Sequence, residues 1–117
     1  MEDVKDSTTI KYKSPGDIIL CIGNLTGEFG GSEYLKVVHG EVKGPIGTLD
    51  LVQEASVQDV CLESIQEGHI KSAHDISEGG LAINIAESIL SSDSSIGAEI
   101  HITSKIREDL LLFGESQ

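Results

Sequence analysis

The stretch that decides the reading is KSAHDISEGGLAINIA, Lys71–Ala86. Ile70, Ala73 and Ile76 supply apolar bulk for a short buried strand, and His74, Asp75, Ser77 and Glu78 crowd polar groups at its end. Gly79-Gly80 then turns the chain into Leu81, Ala82, Ile83, Ile85, Ala86, Ile89 and Leu90, an apolar run at helical spacing over 80–91. A strand that delivers an acid beside a glycine-opened helix is a place for a metal ion or a phosphate. Helix-start N–H groups favour anions, and glycine lets a ligand approach the backbone. Asp75 is placed as a hard-cation ligand, since Mg²⁺ takes one or two carboxylates together with phosphate oxygens. In the competing reading Asp75 and Ser77 accept backbone N–H bonds and cap the helix, and His74 is a packed histidine. On the residues alone capping stands ahead, with the ligand reading still open.

Upstream, Pro15-Gly16 is a turn, and DIILCI, Asp17–Ile22, is a continuous apolar run bounded by turn signals that reads as a buried strand. Gly23–Gly31 is a loop; Gly30 and Gly31 lead to Ser32, a good N-cap for a short helix over Glu33–His39. Asp50–Glu67 is a helix with Leu51, Ala55, Leu62 and Ile65 on one rough stripe beside Cys61, stopped by Gly68. Downstream, IGAEIHI, Ile96–Ile102, alternates as a strand, and Ser104 opens a short helix over Lys105–Leu112.

The order β-loop-α-β-α-β-α predicts an α/β or α+β fold, a small mixed sheet packed with helices. The 80–91 helix is apolar over about 200° of arc, more than one sheet covers, which predicts a neighbouring domain or subunit. Residues 1–14 read as a flexible leader or linker and 15–117 as one domain, with the polar tail after an apolar helix read as a truncation.

A formal charge of -12 argues against a nucleic-acid partner, whose phosphates need a basic footprint. No apolar run approaches the roughly 18–20 residues of a membrane span, and the N-terminus lacks a secretory signal, so a cytoplasmic, membrane-free protein is expected. Cys21 and Cys61 show no CxxC spacing and read as buried free thiols. GxGxxG, GxxxxGK[ST] and GxSxG are all missing, which removes the dinucleotide fold, the P-loop and the nucleophile elbow. Glu115, Ser116 and Gln117 place a carboxylate, a hydroxyl and an amide in series, able to grip a polar ligand; a hydrophilic chain end is the plainer reading.

GDIILCIGNLTGEFGGSEYL, SAHDISEGGLAINIAE, GAEI and LFGESQ, in that order, cover about Pro15–Gln117. They resemble the phosphoribosylformylglycinamidine synthase family, in the C-terminal part of its second synthetase-like half. HDxSEGGLA and LFGESQ also occur in variants across the wider aminoimidazole ribonucleotide synthetase superfamily, which includes selenophosphate synthetase. GGSEYL is more particular to the formylglycinamidine enzymes.

The resemblance implies the superfamily's C-terminal α/β domain and an ATP- and Mg²⁺-dependent C–N ligase. Formylglycinamide ribonucleotide would react with ammonia delivered by a glutaminase subunit or domain. It implies magnesium at Asp75, and ribonucleotide or nucleotide contact at Glu115, Ser116, Gln117, His74, Ser77, Gly79 and Gly80, with Gly30, Gly31 and Ser32 forming a second ligand loop. It implies no catalytic residue in this stretch, since the ATP-binding domains and their histidine lie elsewhere in the family. The chain alone is therefore expected to be inactive, a part that works with the other domains of the synthetase. A non-catalytic docking half-domain is the alternative.

Overall fold

Four helices form where local signals start and stop them. The computed structural model describes residues 7–115 and contains α1 (Glu33–His39), α2 (Leu51–Gln66), α3 (Gly80–Leu90) and α4 (Glu108–Phe113). Ser32 Oγ accepts from Leu35 N at 3.4 Å to cap α1, and Gly40 ends it in the left-handed region. Asp50 Oδ1 accepts from Val52 N at 3.0 Å and Gln53 N at 3.1 Å to cap α2. The last helix starts later than expected. Ser104 Oγ takes the Ile106 amide at 3.0 Å, a turn that closes before α4 begins at Glu108.

The expected mixed sheet is overturned. Among the described residues there is one isolated parallel β-bridge, Thr9 with Ser72, and no sheet. Residues 17–22 and 96–102 run without a ladder, and Ile18 and Leu20 are 85% and 77% exposed. The physical reason is that apolar alternation predisposes a segment to an extended backbone, whereas a strand needs a second segment to exchange N–H and C=O groups with it. Among the described residues the ladder-type contact of the segment nearest the middle, Ile70–Ile76, is with residues 8–9. Thr8 Oγ1 donates to Lys71 O at 2.7 Å, and Ala73 N donates to Thr9 O at 3.2 Å.

Residues 11–12 continue along α3. Tyr12 N donates to Ser88 O at 3.4 Å, and Lys11 Nζ lies 2.8 Å from Asp93 Oδ1. Burial raises the Tyr12 phenol from its ordinary value, against the opposing pull of a hydrogen bond with Ser88. The Lys11 ammonium holds the Asp93 carboxyl below the usual range. A carboxyl lowered in the folded state contributes stability above its unfolded pKa of about 3.9 and loses it as pH falls through the folded value. Lys11→Ala is therefore expected to lower the melting temperature near neutrality by only about two degrees, because the pair is solvated, and to lose that effect in acid once pH has fallen through the lowered Asp93 value. Melting curves near neutrality and in acid check this.

The core is small. Leu81 on α3 and Leu111 on α4 are the buried hydrophobic side chains among the described residues, at 8% and 9% exposure. Ser32 and Ser88 are buried more deeply still. The two helices meet because glycines remove the side chains between their backbones. A Cβ on Gly80 would stand 2.7 Å from Gly114 O and 2.8 Å from Phe113 Cα, and one on Gly114 would stand 3.0 Å from Gly27 Cα. Gly80 also has φ +71°, where a side chain is strained.

Two expectations about apolar faces are corrected. The α2 stripe is not a core face: Leu51 and Leu62 are exposed, and the half-buried side is Val57, Cys61 and Ile65. That side leans on the Gly23–Asn24 bend, where Asn24 Nδ2 donates to Gln53 Oε1 at 3.3 Å. Both thiols are free, but Cys21 is exposed and Cys61 half-buried. Partial desolvation raises the Cys21 thiol from its ordinary value.

Candidate functional site

Two turns of glycine-rich backbone converge on one carboxylate. Glu115 Oε1 accepts from Glu33 N at 2.8 Å and from Gly79 N at 2.7 Å. The first donor is an N–H that α1 leaves unpaired at its start; the second belongs to the residue that opens α3. Glu115 N donates to Glu28 O at 3.0 Å, which ties the chain after α4 to the loop before α1. Gly30, Gly31 and Ser32, the Gly79-Gly80 turn and Glu115 are thus brought together from positions far apart in sequence.

The 30–33 turn has its own scaffold. Gly31 N donates to Lys43 O at 3.0 Å and Ser32 N to Phe29 O at 3.0 Å. Gly30 lies so close to the Pro45 carbonyl that no side chain fits there. A cleft of about 420 Å³ opens between this turn and residues 43–48, lined by Phe29, Gly30, Leu35, Lys43, Pro45 and Ile46 among others.

Beside it stand three of the four aromatic side chains in the protein. Tyr34 stacks between Phe29, centroids 4.9 Å apart, and Phe113, 5.1 Å, with His39 edge-on at 5.8 Å. At 3% aromatic content no pattern in the chain announced this cluster. One signal was readable: all three rings flank the glycine motifs, in GEFGG, GSEYL and LFGES.

His74 and Asp75 form a separate group. His74 Nε2 lies 2.9 Å from Glu87 Oε2 and Nδ1 lies 3.4 Å from Asp75 Oδ1, with the imidazole side chain only 14% exposed. Asn84 Nδ2 donates to Asp75 O at 2.6 Å. Asn84 and Glu87 are three residues apart on α3 and so share a face, which is why both reach the segment running alongside. Neither residue had been singled out as a partner of His74 or Asp75; their place on the helix's polar side was the available sign. No hydrogen bond or ion pair joins His74 or Asp75 to Glu115.

The capping reading of Asp75 and Ser77 is not what the turn shows. Gly79 occupies the cap position of α3 without a side-chain bond, and Gly80 N donates to the Ser77 carbonyl at 3.1 Å. Glu115 serves the Gly79 amide from a distance of 36 residues. The Asp75 carboxylate stays 87% exposed and available. Among the described residues no three His, Cys, Asp or Glu side chains group as a metal centre does. One exposed carboxylate beside a histidine fits the part of a single Mg²⁺ ligand, with phosphate oxygens completing the shell, and does not fit a self-contained site. Ser116 and Gln117 lie outside the described residues. No helix among the described residues is long and apolar enough to cross a membrane.

This arrangement of motifs can be set against known proteins. The family model for the AIR synthase related protein, C-terminal domain, matches residues 14–117. The chain belongs to that family. Among relatives, it is 43% identical over 117 residues to the phosphoribosylformylglycinamidine synthase subunit PurL of Alkaliphilus metalliredigens. It is 42% identical over 117 residues to the protein of the same name from Moorella thermoacetica. In both cases the match takes in 100% of the chain and 16% of the relative, so the chain spans about a sixth of the length of the curated proteins it matches. No solved structure matches it. The AIR synthase related C-terminal domain is therefore the unit in which the two converging turns and Glu115 are to be read.

Proposed function

We propose that this chain is the C-terminal-domain portion, residues 15–117 with the segment at 8–12 packed along it, of an ATP-dependent C–N ligase of purine biosynthesis. The whole protein converts formylglycinamide ribonucleotide, with ammonia from a glutaminase subunit or domain, into formylglycinamidine ribonucleotide in the cytoplasm. The relatives' shared name supports this reading, and so does their identity over the full chain. The observation that carries it is the convergence of the Gly30–Glu33 turn, the Ser77–Gly80 turn and Glu115 on one point. A phosphorylated ligand there is met through Mg²⁺ on a chain of charge -12, because the Glu33 and Gly79 N–H groups are already taken by Glu115.

In this reading Ser77, Gly79 and Gly80, with Gly30, Gly31 and Ser32 opposite, line a nucleotide or ribonucleotide pocket that Ser116 and Gln117 complete. Asp75 holds Mg²⁺, which when bound offsets phosphate charge. His74, fixed by Glu87, sets the direction of the segment that presents Asp75. The chain supplies scaffold and part of a pocket; the other domains of the synthetase supply the reacting groups.

The test is an assay of the whole protein for ADP release that depends on formylglycinamide ribonucleotide, ammonia and Mg²⁺. No ADP under those conditions would end the proposal. Asp75→Asn keeps the shape of the side chain and removes its charge. It is expected to weaken Mg²⁺-nucleotide binding on the order of tenfold, measured by titration calorimetry, while leaving the melting temperature within about a degree.

A further inference from the structure

We propose that Glu115 is a positioning residue, a carboxylate clasp that holds the 30–33 and 77–80 turns in fixed register. One oxygen accepts two backbone N–H groups, Glu33 N at 2.8 Å and Gly79 N at 2.7 Å, from segments 46 residues apart in sequence. Its own amide is anchored to Glu28 O at 3.0 Å, so the carboxylate stands on a fixed base. The backbone around it leaves no slack, since a Cβ on Gly80 would meet Gly114 O at 2.7 Å and one on Gly114 would meet Gly27 C at 3.1 Å.

Charge-assisted bonds from a carboxylate to backbone N–H groups are roughly twice as strong as neutral ones. Two of them on one atom make the two turns respond as a unit. A ligand that moves one turn must then move the other, or break a bond. The oxygen in use faces protein, and through these two bonds Glu115 shapes the pocket. The clasp stands on these contacts whether or not the synthetase reading holds.

The experiment is a ¹H–¹⁵N NMR titration of the 117-residue chain between pH 7 and pH 3, following the Glu33 and Gly79 amides. Both are expected to shift with one shared midpoint, as they report the same carboxyl group. The other carboxylates carried by these turns are Glu28, Glu33 and Glu78, and Lys36 is paired with Glu33. Glu115→Gln keeps the size of the side chain and abolishes the shared titration, while a response caused by Glu28, Glu33 or Glu78 would persist in that variant. Hydrogen exchange at both amides in Glu115→Gln is expected to speed up about tenfold, with exchange along α2 unchanged. Separate midpoints, a response at only one amide, random-coil shifts at either in the parent chain, or a titration that survives in Glu115→Gln would overturn the clasp.

Discussion

Gly80→Val is expected to destabilise the chain by about 3 kcal/mol or more, enough to remove much of the stability of a small domain. Two effects add. Position 80 has φ +71°, which a β-branched residue adopts only under strain. The new Cβ would also press on Gly114 O at 2.7 Å and on the Phe113 backbone, atoms that cannot rotate away. Relief would require α3 and α4 to separate, taking Leu81 and Leu111 apart with them. Urea unfolding measures the loss, and Gly97→Ala is the control. No atom lies within 4 Å of a Cβ at Gly97, and its φ is not positive, so that substitution should be neutral or stabilise by about 0.5 kcal/mol through the unfolded state. A Gly80→Val chain that unfolds at the parent's urea concentration would mean that the α3–α4 contact does not hold the fold.

Tyr34→Ala is expected to cost about 2–3 kcal/mol, the other large effect. The ring is the middle of a stack with Phe29 at 4.9 Å and Phe113 at 5.1 Å, so its removal strips a neighbour from both. The stack joins α1 to the end of α4. Losing it removes the aromatic part of the hold on α1, whose start stays tied by the Glu33 N bond to Glu115 and by the 29–32 turn. Tyr34→Phe preserves both stacking partners and should stay within about 1 kcal/mol of the parent. Thermal melting followed by far-ultraviolet circular dichroism reads both variants, since the helices that give that signal are present in each. Equal melting temperatures for Tyr34→Ala and Tyr34→Phe would show that the rings touch without supporting the fold.

These two sites differ in how far the chain announced them. Gly80 stood inside SEGGLA, where a paired glycine before an apolar run already called for a turn. Tyr34 carried no such mark, because a lone aromatic in a short helix has no periodicity to set its partners. The candidate site divides in the same way. Gly30, Gly31, Ser32, Gly79 and Gly80 were legible as turn and cap residues, and the structure draws them to one place. That Glu115 would spend an oxygen on two amides, or that Glu87 and Asn84 would hold His74 and Asp75, was not legible. Each is a meeting of segments that only packing brings about.

What the sequence determined by itself is the local part: four helices, the first with Ser32 at its cap, glycine at the turns, and the motif order that places the chain in its family. Caps and turns depend on contacts within about four residues, so residue type is enough to specify them. Tertiary structure decided the pairing. It left 17–22 and 96–102 without a ladder, exposed the apolar stripe of α2, and built the core from Leu81 and Leu111 around glycine contacts. A strand, a buried face and a shared carboxylate each need a second segment, and the position of that segment is set by the fold as a whole.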